Sequence, residues 1–180
     1  MVAPVETAVK TVTPFSYSIS GSVQIFTSSQ RGFFTDVVAQ ALRVAGQGTS
    51  VLVVQFLKGG IGQGYDRPVR LGQHLEWIRC DLARCVDTPH LDDAEIQSLQ
   101  RLWRHVRRTI AEGDYTLAIL DELSLAIHFG LIDEAEAIEF LQQRPPHVDI
   151  VLTGPNMPES LLETADRVTE IRRDRSVGYC

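Results

Sequence analysis

The stretch that decides the fold is SVQIFTSSQRGFFTDVVAQALRVAGQGTSVLVVQF, residues 22–56. It begins with the apolar run SVQIFT, which predicts a buried strand, and continues into a polar loop at residues 28–32. Apolar side chains then recur at the spacing of one helix face, which predicts a helix that begins near Phe33: Phe33, Val37, Val38, Ala41, Leu42 and Ala45. Gly46 and Gly48 are typical of a helix end. The next run, TSVLVVQF, has no polar alternation, as expected for a strand covered on both faces. The stretch therefore predicts strand, loop, helix and strand in that order.

The same alternation continues along the chain. Apolar runs predict further strands at residues 75–78, 115–120, 149–153 and 167–172. Apolar spacing and helix-start chemistry predict helices at residues 92–112, 131–143 and 158–165. Strands that alternate with helices favour an α/β fold, a mostly parallel sheet with helices on both faces.

The 180 residues suit one domain with one sizeable core. Residues 1–20 are rich in Val, Thr, Ser and Pro and predict an extended or disordered N-terminal arm. We expect the α/β domain to span residues 21–173 and a short C-terminal tail to follow at residues 174–180.

Composition narrows the possible partners and the location. Seventeen basic and 23 acidic side chains leave a net charge of −6, which argues against nucleic acid as a partner. No apolar run approaches the roughly 20 residues that cross a bilayer, and no signal-peptide core is present, so we expect a cytoplasmic protein without membrane contact. The three cysteines, Cys80, Cys85 and Cys180, predict free thiols, with a redox or metal role as the alternative.

Parallel sheets place their sites beyond the carboxyl ends of the strands. The predicted strands end at Thr27, Phe56, Asp121 and Thr153, and each leads into a turn that carries Gly, Ser or an acid. We therefore expect the functional site at this edge of the sheet.

Seven segments, taken in order, resemble one known family, the ATP:corrinoid adenosyltransferases. The segments are ALRVAG (41–46), VVQFLKG (53–59), LDEL (120–123), GLI (130–132), RPPH (144–147), VLTG (151–154) and the stretch 161–171, which includes AD and VTE. The resemblance covers roughly residues 20 to 172. It implies a P-loop NTPase-like three-layer sandwich, a homodimer, ATP with a divalent cation, and a corrinoid substrate that receives adenosyl at its cobalt.

The phosphate-binding loop departs from the family pattern. Where the family has Gly-Asn-Gly-Lys-Gly-Lys-Thr-Thr, this chain reads Ser28-Ser29-Gln30-Arg31-Gly32-Phe33-Phe34-Thr35. Phe33 stands at the position of the phosphate-binding lysine and Phe34 at that of the metal-binding hydroxyl. A phenylalanine supplies neither charge nor a metal ligand, and its ring desolvates a polyanion without compensation.

By family position, the nucleotide would contact twelve residues in this degenerate site. These are Thr27, Ser28, Ser29, Gln30, Arg31, Gly32, Phe33, Phe34, Thr35, Lys58, Thr153 and Gly154. Arg31 and Lys58 are candidate replacement cations, although Arg31 also fits a solvated loop arginine. The two phenylalanines also fit core or interface packing.

Other candidates have two interpretations each. Asp121 and Glu122 stand where P-loop proteins hold a metal ion, while Asp121 also suits helix or turn capping. Thr153-Gly154 fits either a turn beside the nucleotide or an ordinary glycine turn. His128 suits packing better than metal binding. No catalytic residue is assigned.

The corrinoid side departs as well. The family has an aromatic Phe-Thr-Trp stretch where this chain has Arg84-Cys85-Val86, and the family's tail is longer than residues 174–180.

These departures predict a corrinoid adenosyltransferase-like protein without catalysis, a binding, regulatory or scaffolding homologue that forms a homodimer. Its partner would be a protein or a small anion, and MgATP and corrinoid are implied by the family alone. The alternative is an active cob(I)yrinic acid a,c-diamide adenosyltransferase with a rebuilt loop.

Overall fold

The computed structural model describes residues 20–32 and 34–171. Predictions for the N-terminal arm before Ser20, for Phe33, for Cys180 and for the tail fall outside these residues. In chain order the elements are β1 (Val23–Ser28), α1 (Thr35–Gly46), β2 (Val51–Gln55), β3 (Val69–Leu71), β4 (Leu75–Arg79), α2 (Asp93–Glu112), β5 (Leu117–Asp121), α3 (Leu123–His128), α4 (Glu134–Gln143), β6 (Asp149–Pro155), α5 (Glu159–Glu163) and β7 (Arg167–Glu170).

One seven-stranded sheet organises the chain, in the order β3-β4-β2-β5-β6-β1-β7. Every neighbouring pair is parallel except β3 with β4. The predicted α/β class, a P-loop NTPase-like sandwich with a mostly parallel sheet, is confirmed. The short strand β3 was not predicted, because its three residues are all exposed and produce no apolar run.

The two faces of the sheet carry separate cores. On one face, Val51 and Val53 of β2 pack with α1, while Leu52 and Val54 of the same strand join the core formed with Trp103 of α2. Successive strand side chains point to opposite faces, so a strand covered on both sides has no polar alternation. This confirms the reading of the TSVLVVQF run.

Side-chain caps set the start of two helices. The Asp92 carboxylate accepts a hydrogen bond from the backbone N–H of Glu95, whose side chain returns to the N–H of Asp92. This capping box starts α2 one residue later than predicted, because Asp92 is the cap. Asp133 caps α4 in the same way, through the N–H of Glu136.

Helix α1 buries fewer of its apolar side chains against the sheet than its sequence predicts. Val37, Ala41 and Ala45 are buried at intervals of four residues. Leu42, predicted on the same face, is 45% exposed because it lies one residue further round the helix from Ala41.

Across residues 20–32 and 34–171, no helix combines the length and the apolar character needed to span a bilayer.

Candidate functional site

Four neighbouring strands end together at one edge of the sheet, as predicted. Gln55 of β2 lies in register with Asp121 of β5, which lies in register with Thr153 of β6. Thr27 of β1 pairs with Gly154 on the other side of β6. The carboxyl ends of these strands therefore bring residues from distant parts of the chain into one site.

The Asp121 carboxylate lies at the centre of this edge and is 5% exposed. Its Oδ2 accepts hydrogen bonds from Lys58 Nζ at 2.6 Å and from Gln55 Nε2 at 2.8 Å. Its Oδ1 accepts one from Thr153 Oγ1 at 2.6 Å. Gln55 is oriented in turn by Trp77, whose Nε1 donates to Gln55 Oε1 at 3.1 Å. Both carboxylate oxygens thus have protein donors.

The Glu122 carboxylate is 1% exposed and is held by the phosphate-loop arginine. Arg31 donates from Nε to Oε1 at 2.6 Å and from Nη2 to Oε2 at 2.7 Å, which is the paired geometry of a guanidinium fork on a carboxylate. Arg31 Nη1 also donates to the carbonyl of Val86 at 2.6 Å. The hydrogen bond to Glu122 is the main cause that raises the pKa of Arg31 above its ordinary value, against the opposing effect of burial.

This geometry corrects one of the two interpretations of Arg31. The residue as a whole is exposed, but its side chain is 29% exposed and its guanidinium is bonded to Glu122 and to the carbonyl of Val86, so it is not a solvated loop arginine. Glu122 has a positive backbone φ of 66°, a conformation that costs a residue other than glycine about 1–3 kcal/mol.

Arg31, Lys58, Asp121 and Glu122 form what we call the strand-end network. Two cations face two carboxylates, and Lys58 Nζ also lies 3.8 Å from Glu122 Oε1. The formal charges of these four side chains sum to zero. The network joins three chain segments that meet only in the folded state.

Phe34 fills the space beside the network. It precedes α1 without making a side-chain cap, is 8% exposed, and packs in the core cluster that includes Val37 and Val53. The cavity left there, lined by Phe34, Gln55, Asp121 and Thr153 among others, measures about 10 Å³. That is about the space of one water molecule. The packing interpretation of Phe34 is confirmed, while helix α1 begins at Thr35, after the predicted start near Phe33.

Two residues at the start of the loop form hydrogen bonds within the protein. Thr27 Oγ1 donates to the carbonyl of Gly154 at 2.9 Å, and the Ser28 hydroxyl donates to the carbonyl of Gln30. Ser29 and Thr35 are exposed. Gly32, the glycine that matches the family loop, has open space where a Cβ would be, so crowding does not require glycine there.

Gly154, in contrast, is required by its surroundings. Its φ is 147°, and a Cβ at this position would lie 2.2 Å from Ser124 Oγ. The Ser124 hydroxyl is itself buried and donates to the carbonyl of Pro155 at 2.8 Å. This close approach gives Gly154 a structural role, but the residue lies within strand β6, opposite Thr27 of β1, and not in the turn that the sequence predicted.

Two other predictions need correction. Asp121 caps no helix, because α3 begins at Leu123 after Glu122 and the Asp121 carboxylate accepts from Lys58, Gln55 and Thr153 instead. His128 is exposed at the end of α3 and is not a packed residue. Within the described part of the chain, no group of three or more His, Cys, Asp and Glu side chains is arranged to hold a metal ion.

The segment predicted on the corrinoid side contacts the phosphate loop. The Val86 N–H donates to the carbonyl of Leu57 at 2.9 Å, and the Val86 carbonyl accepts a hydrogen bond from Arg31 Nη1. Arg84 forms two 3.0 Å hydrogen bonds with Glu95 of α2. Cys85 is exposed and Cys80 is buried, both as free thiols, and burial raises the pKa of Cys80 to about 11.

Sequence reasoning missed several participants in the site. In the sequence, Gln55 is simply part of a predicted buried strand. Trp77 lies in another predicted strand, and nothing in the sequence pattern indicates a role in the site. The Val86 carbonyl is backbone and carries no sequence signal at all. The one available signal was that Gln55 is the single polar residue in the otherwise apolar run VLVVQF.

Comparison with known proteins gives a consistent result. The model of the family "ATP:corrinoid adenosyltransferase BtuR/CobO/CobP" matches residues 20–177. A "Corrinoid adenosyltransferase" of Sinorhizobium sp. is 28% identical, with 84% of this chain and 72% of the relative covered. A protein of the same name from Escherichia coli K12 is also 28% identical, with 84% and 76% covered. An uncharacterized protein of Nostoc sp. is 27% identical over 73% of this chain and 38% of its own length. The chain therefore belongs to the ATP:corrinoid adenosyltransferase family.

Proposed function

We propose that this chain is a non-catalytic member of its family, a binding or regulatory protein that keeps the family fold without transferring adenosyl from ATP. The observation that carries the proposal is the strand-end network. Its two carboxylates and two cations satisfy one another at the edge where parallel sheets bind ligands.

The residues present do not fit the divalent cation that the family implies. Mg²⁺ takes near-octahedral oxygen ligands and usually keeps several waters. Both oxygens of Asp121 already accept hydrogen bonds, and Glu122 is held by the Arg31 fork. The cavity of about 10 Å³ that Phe34, Gln55, Asp121 and Thr153 line is itself too small for a hydrated ion. A metal would have to break a buried ion pair, which costs about 3–5 kcal/mol when one partner is lost.

The phosphates of ATP meet a similar obstacle. Arg31 and Lys58 are the candidate replacement cations of the loop region, but each one already pairs with a carboxylate. A phosphate would have to compete with these carboxylates for the same donors. Phe34, at the position of the family hydroxyl, contributes an apolar ring to the same place.

One observation favours a second candidate, an active adenosyltransferase with a rebuilt loop. The network gathers two acids and two cations at the strand ends, close to where a nucleotide and its metal would need them. If ligand binding opened both ion pairs, the cations would face phosphate and the acids would face metal. This alternative requires a rearrangement whose cost the ligand would supply.

An anaerobic transfer assay tests the proposal. The full chain is mixed with MgATP and a chemically reduced corrinoid, and formation of the cobalt–carbon bond is followed by absorbance, with the Escherichia coli relative as positive control. We expect this chain to form no cobalt–carbon bond. We also expect calorimetry to detect no micromolar binding of MgATP. Turnover that Asp121→Asn abolishes would overturn the proposal.

We also propose a homodimer, which rests on the family resemblance. Light scattering of the full chain should then give twice the 20.0 kDa chain mass. A mass of one chain at working concentrations would contradict the dimer and leave the proposal on catalysis unaffected.

A further inference from the structure

The exposed side of α2 carries a row of basic side chains away from the strand-end network. Arg101, Arg104, His105 and Arg108 follow at i, i+3, i+4 and i+7, so they share one helix face. With Tyr65 from the loop before β3, they line an open cleft of about 470 Å³. We call these five residues the basic face.

The arginines of the basic face have little acidic compensation. Of the residues that the structure describes, no acid lines the cleft. Arg104 Nε donates to the carbonyl of Gln100 in its own helix, and Arg108 lies 3.8 Å from the exposed Glu112. Within residues 20–32 and 34–171, no ion pair involves Arg101 or Arg104. Two of the three arginines, Arg101 and Arg104, thus add positive charge without an ion pair among the described residues, on a chain whose net charge is −6.

A neighbouring arginine shows the difference. Arg107 is on the same helix but turns toward α4, where it pairs with Glu136, which also accepts from Trp103 Nε1 at 3.0 Å. That ion pair connects α2 to α4, which gives Arg107 a structural role. Among the residues that the structure describes, no arginine of the basic face forms an ion pair with another helix or strand.

An aromatic pair lies beside the arginines. The rings of Tyr65 and His105 are stacked, with centroids 4.9 Å apart and planes at 28°. Burial, followed by the nearby Arg108, lowers the pKa of His105, against the opposing effects of Glu112 and Glu76. The stacked pair therefore offers an aromatic surface next to the arginines, and Tyr65 is 36% exposed.

We propose that the basic face docks an acidic segment of a partner protein, with Arg101, Arg104 and Arg108 pairing its carboxylates and Tyr65 packing against its backbone or apolar side chains. The three arginines extend about 10 Å along α2, from the helical rise per residue. That length matches carboxylates spaced over two turns of a helix or a few residues of extended chain. Tyrosine and arginine are also the residue types that dominate binding energy at protein interfaces.

A single phosphate fits this surface less well. Phosphate sites converge several donors on one point, commonly backbone N–H groups. Here the donors are side chains spread along an open helix face. The proposal uses no residue of the strand-end network and holds whether or not the chain transfers adenosyl.

Fluorescence anisotropy with a short labelled poly-L-glutamate tests the proposal on the full chain. The overall negative charge of the protein opposes this probe, so saturable binding requires a local basic site. We expect binding that weakens as salt is raised, and a loss of at least about tenfold in affinity for Arg104→Glu and for Arg101→Glu.

The matched control is Arg43→Glu, an equal charge reversal at an exposed position of α1 on the other face of the sheet. Its affinity for the probe should stay within about twofold of the original protein, a difference of a few tenths of a kcal/mol. Circular dichroism confirms that each variant is folded.

Three results would overturn the proposal. The first is the absence of saturable binding by the unmodified chain, and the second is an equal loss for Arg43→Glu and Arg104→Glu. The third is tighter binding of inorganic tripolyphosphate than of poly-L-glutamate, lost in the same two variants of α2, which would assign the face to phosphates.

Discussion

The strand-end network and the basic face both gather cationic side chains, yet the cations meet different surroundings. In the network, Arg31 and Lys58 pair with carboxylates that are almost completely buried. On the basic face, Arg101 and Arg104 extend from an exposed helix surface without an acid in the cleft. The comparison teaches that positive charge marks an anion site only where the protein has not already neutralised it.

The difference also concerns what each cluster contributes to stability. A buried carboxylate that loses its cation leaves an uncompensated charge in a low-dielectric environment, which is strongly destabilising. An exposed arginine that is removed is replaced by water at little cost. The network should therefore behave as part of the fold, and the basic face as a surface available for binding.

The largest effect is expected from Arg31→Ala. It leaves Glu122, at 1% exposure, without its guanidinium partner, and the free energy of unfolding should fall by about 3 kcal/mol. Urea denaturation measures it. The double variant Arg31→Ala with Glu122→Gln should recover part of the loss, since it removes the orphaned charge. A loss below about 1 kcal/mol would show that the pair is not the fixed structural element described above.

A smaller effect is expected from Lys58→Met, which keeps the side-chain length and removes the charge. Asp121 retains its bonds from Gln55 and Thr153, so the free energy of unfolding should fall by about 2 kcal/mol. The same denaturation experiment applies. If stability is unchanged, Asp121 does not depend on Lys58, and the carboxylate is more available to other ligands than we propose.

Restoring the family's loop residues tests whether the loop or the strand-end network prevents MgATP binding. Phe33→Lys combined with Phe34→Thr supplies the missing charge and hydroxyl, and the affinity for MgATP should rise by at least about tenfold in calorimetry. Phe33→Ala with Phe34→Ala serves as the matched control, because it removes the rings without adding the functional groups. An unchanged affinity in the restored variant would mean that the ion pairs, and not the loop alone, prevent binding.

The smallest effect is expected from Arg104→Met on the basic face. It repeats the Lys58 substitution at an exposed cation without an acidic partner, so the free energy of unfolding should change by no more than about 0.5 kcal/mol. The two methionine variants, measured side by side, test the comparison directly. A loss at Arg104 as large as that at Lys58 would make the basic face a structural feature.

Much of the fold could be predicted because its signals are local. Uninterrupted apolar runs marked β2, β5 and β6, apolar spacing marked α2, and acidic helix-start residues marked α4. Strand β3 escaped prediction because it is exposed at a sheet edge and has no buried side chain. Leu42 was misplaced because apolar spacing does not reveal how wide a stripe the sheet covers.

The sequence predicted which residues belong to the candidate site better than it predicted the contacts between them. Arg31, Lys58, Asp121 and Glu122 were all named, but their pairing was not, since the sequence offered several equally reasonable roles. Thr153 was expected beside a nucleotide, and its hydrogen bond to Asp121 was not foreseen. Gln55 and the Val86 carbonyl were missed because neither a lone amide in an apolar strand nor a backbone oxygen has a distinctive pattern.

The sequence by itself determined the alternation of strands and helices, the family, and the replacement of the family's lysine and hydroxyl by Phe33 and Phe34. These follow from residue type and order along the chain. The tertiary structure alone decided that Arg31 and Lys58 neutralise Glu122 and Asp121, and that Tyr65 joins the arginines of α2. Those facts depend on distances of a few ångströms between residues far apart in sequence, and on burial, which only the folded chain defines.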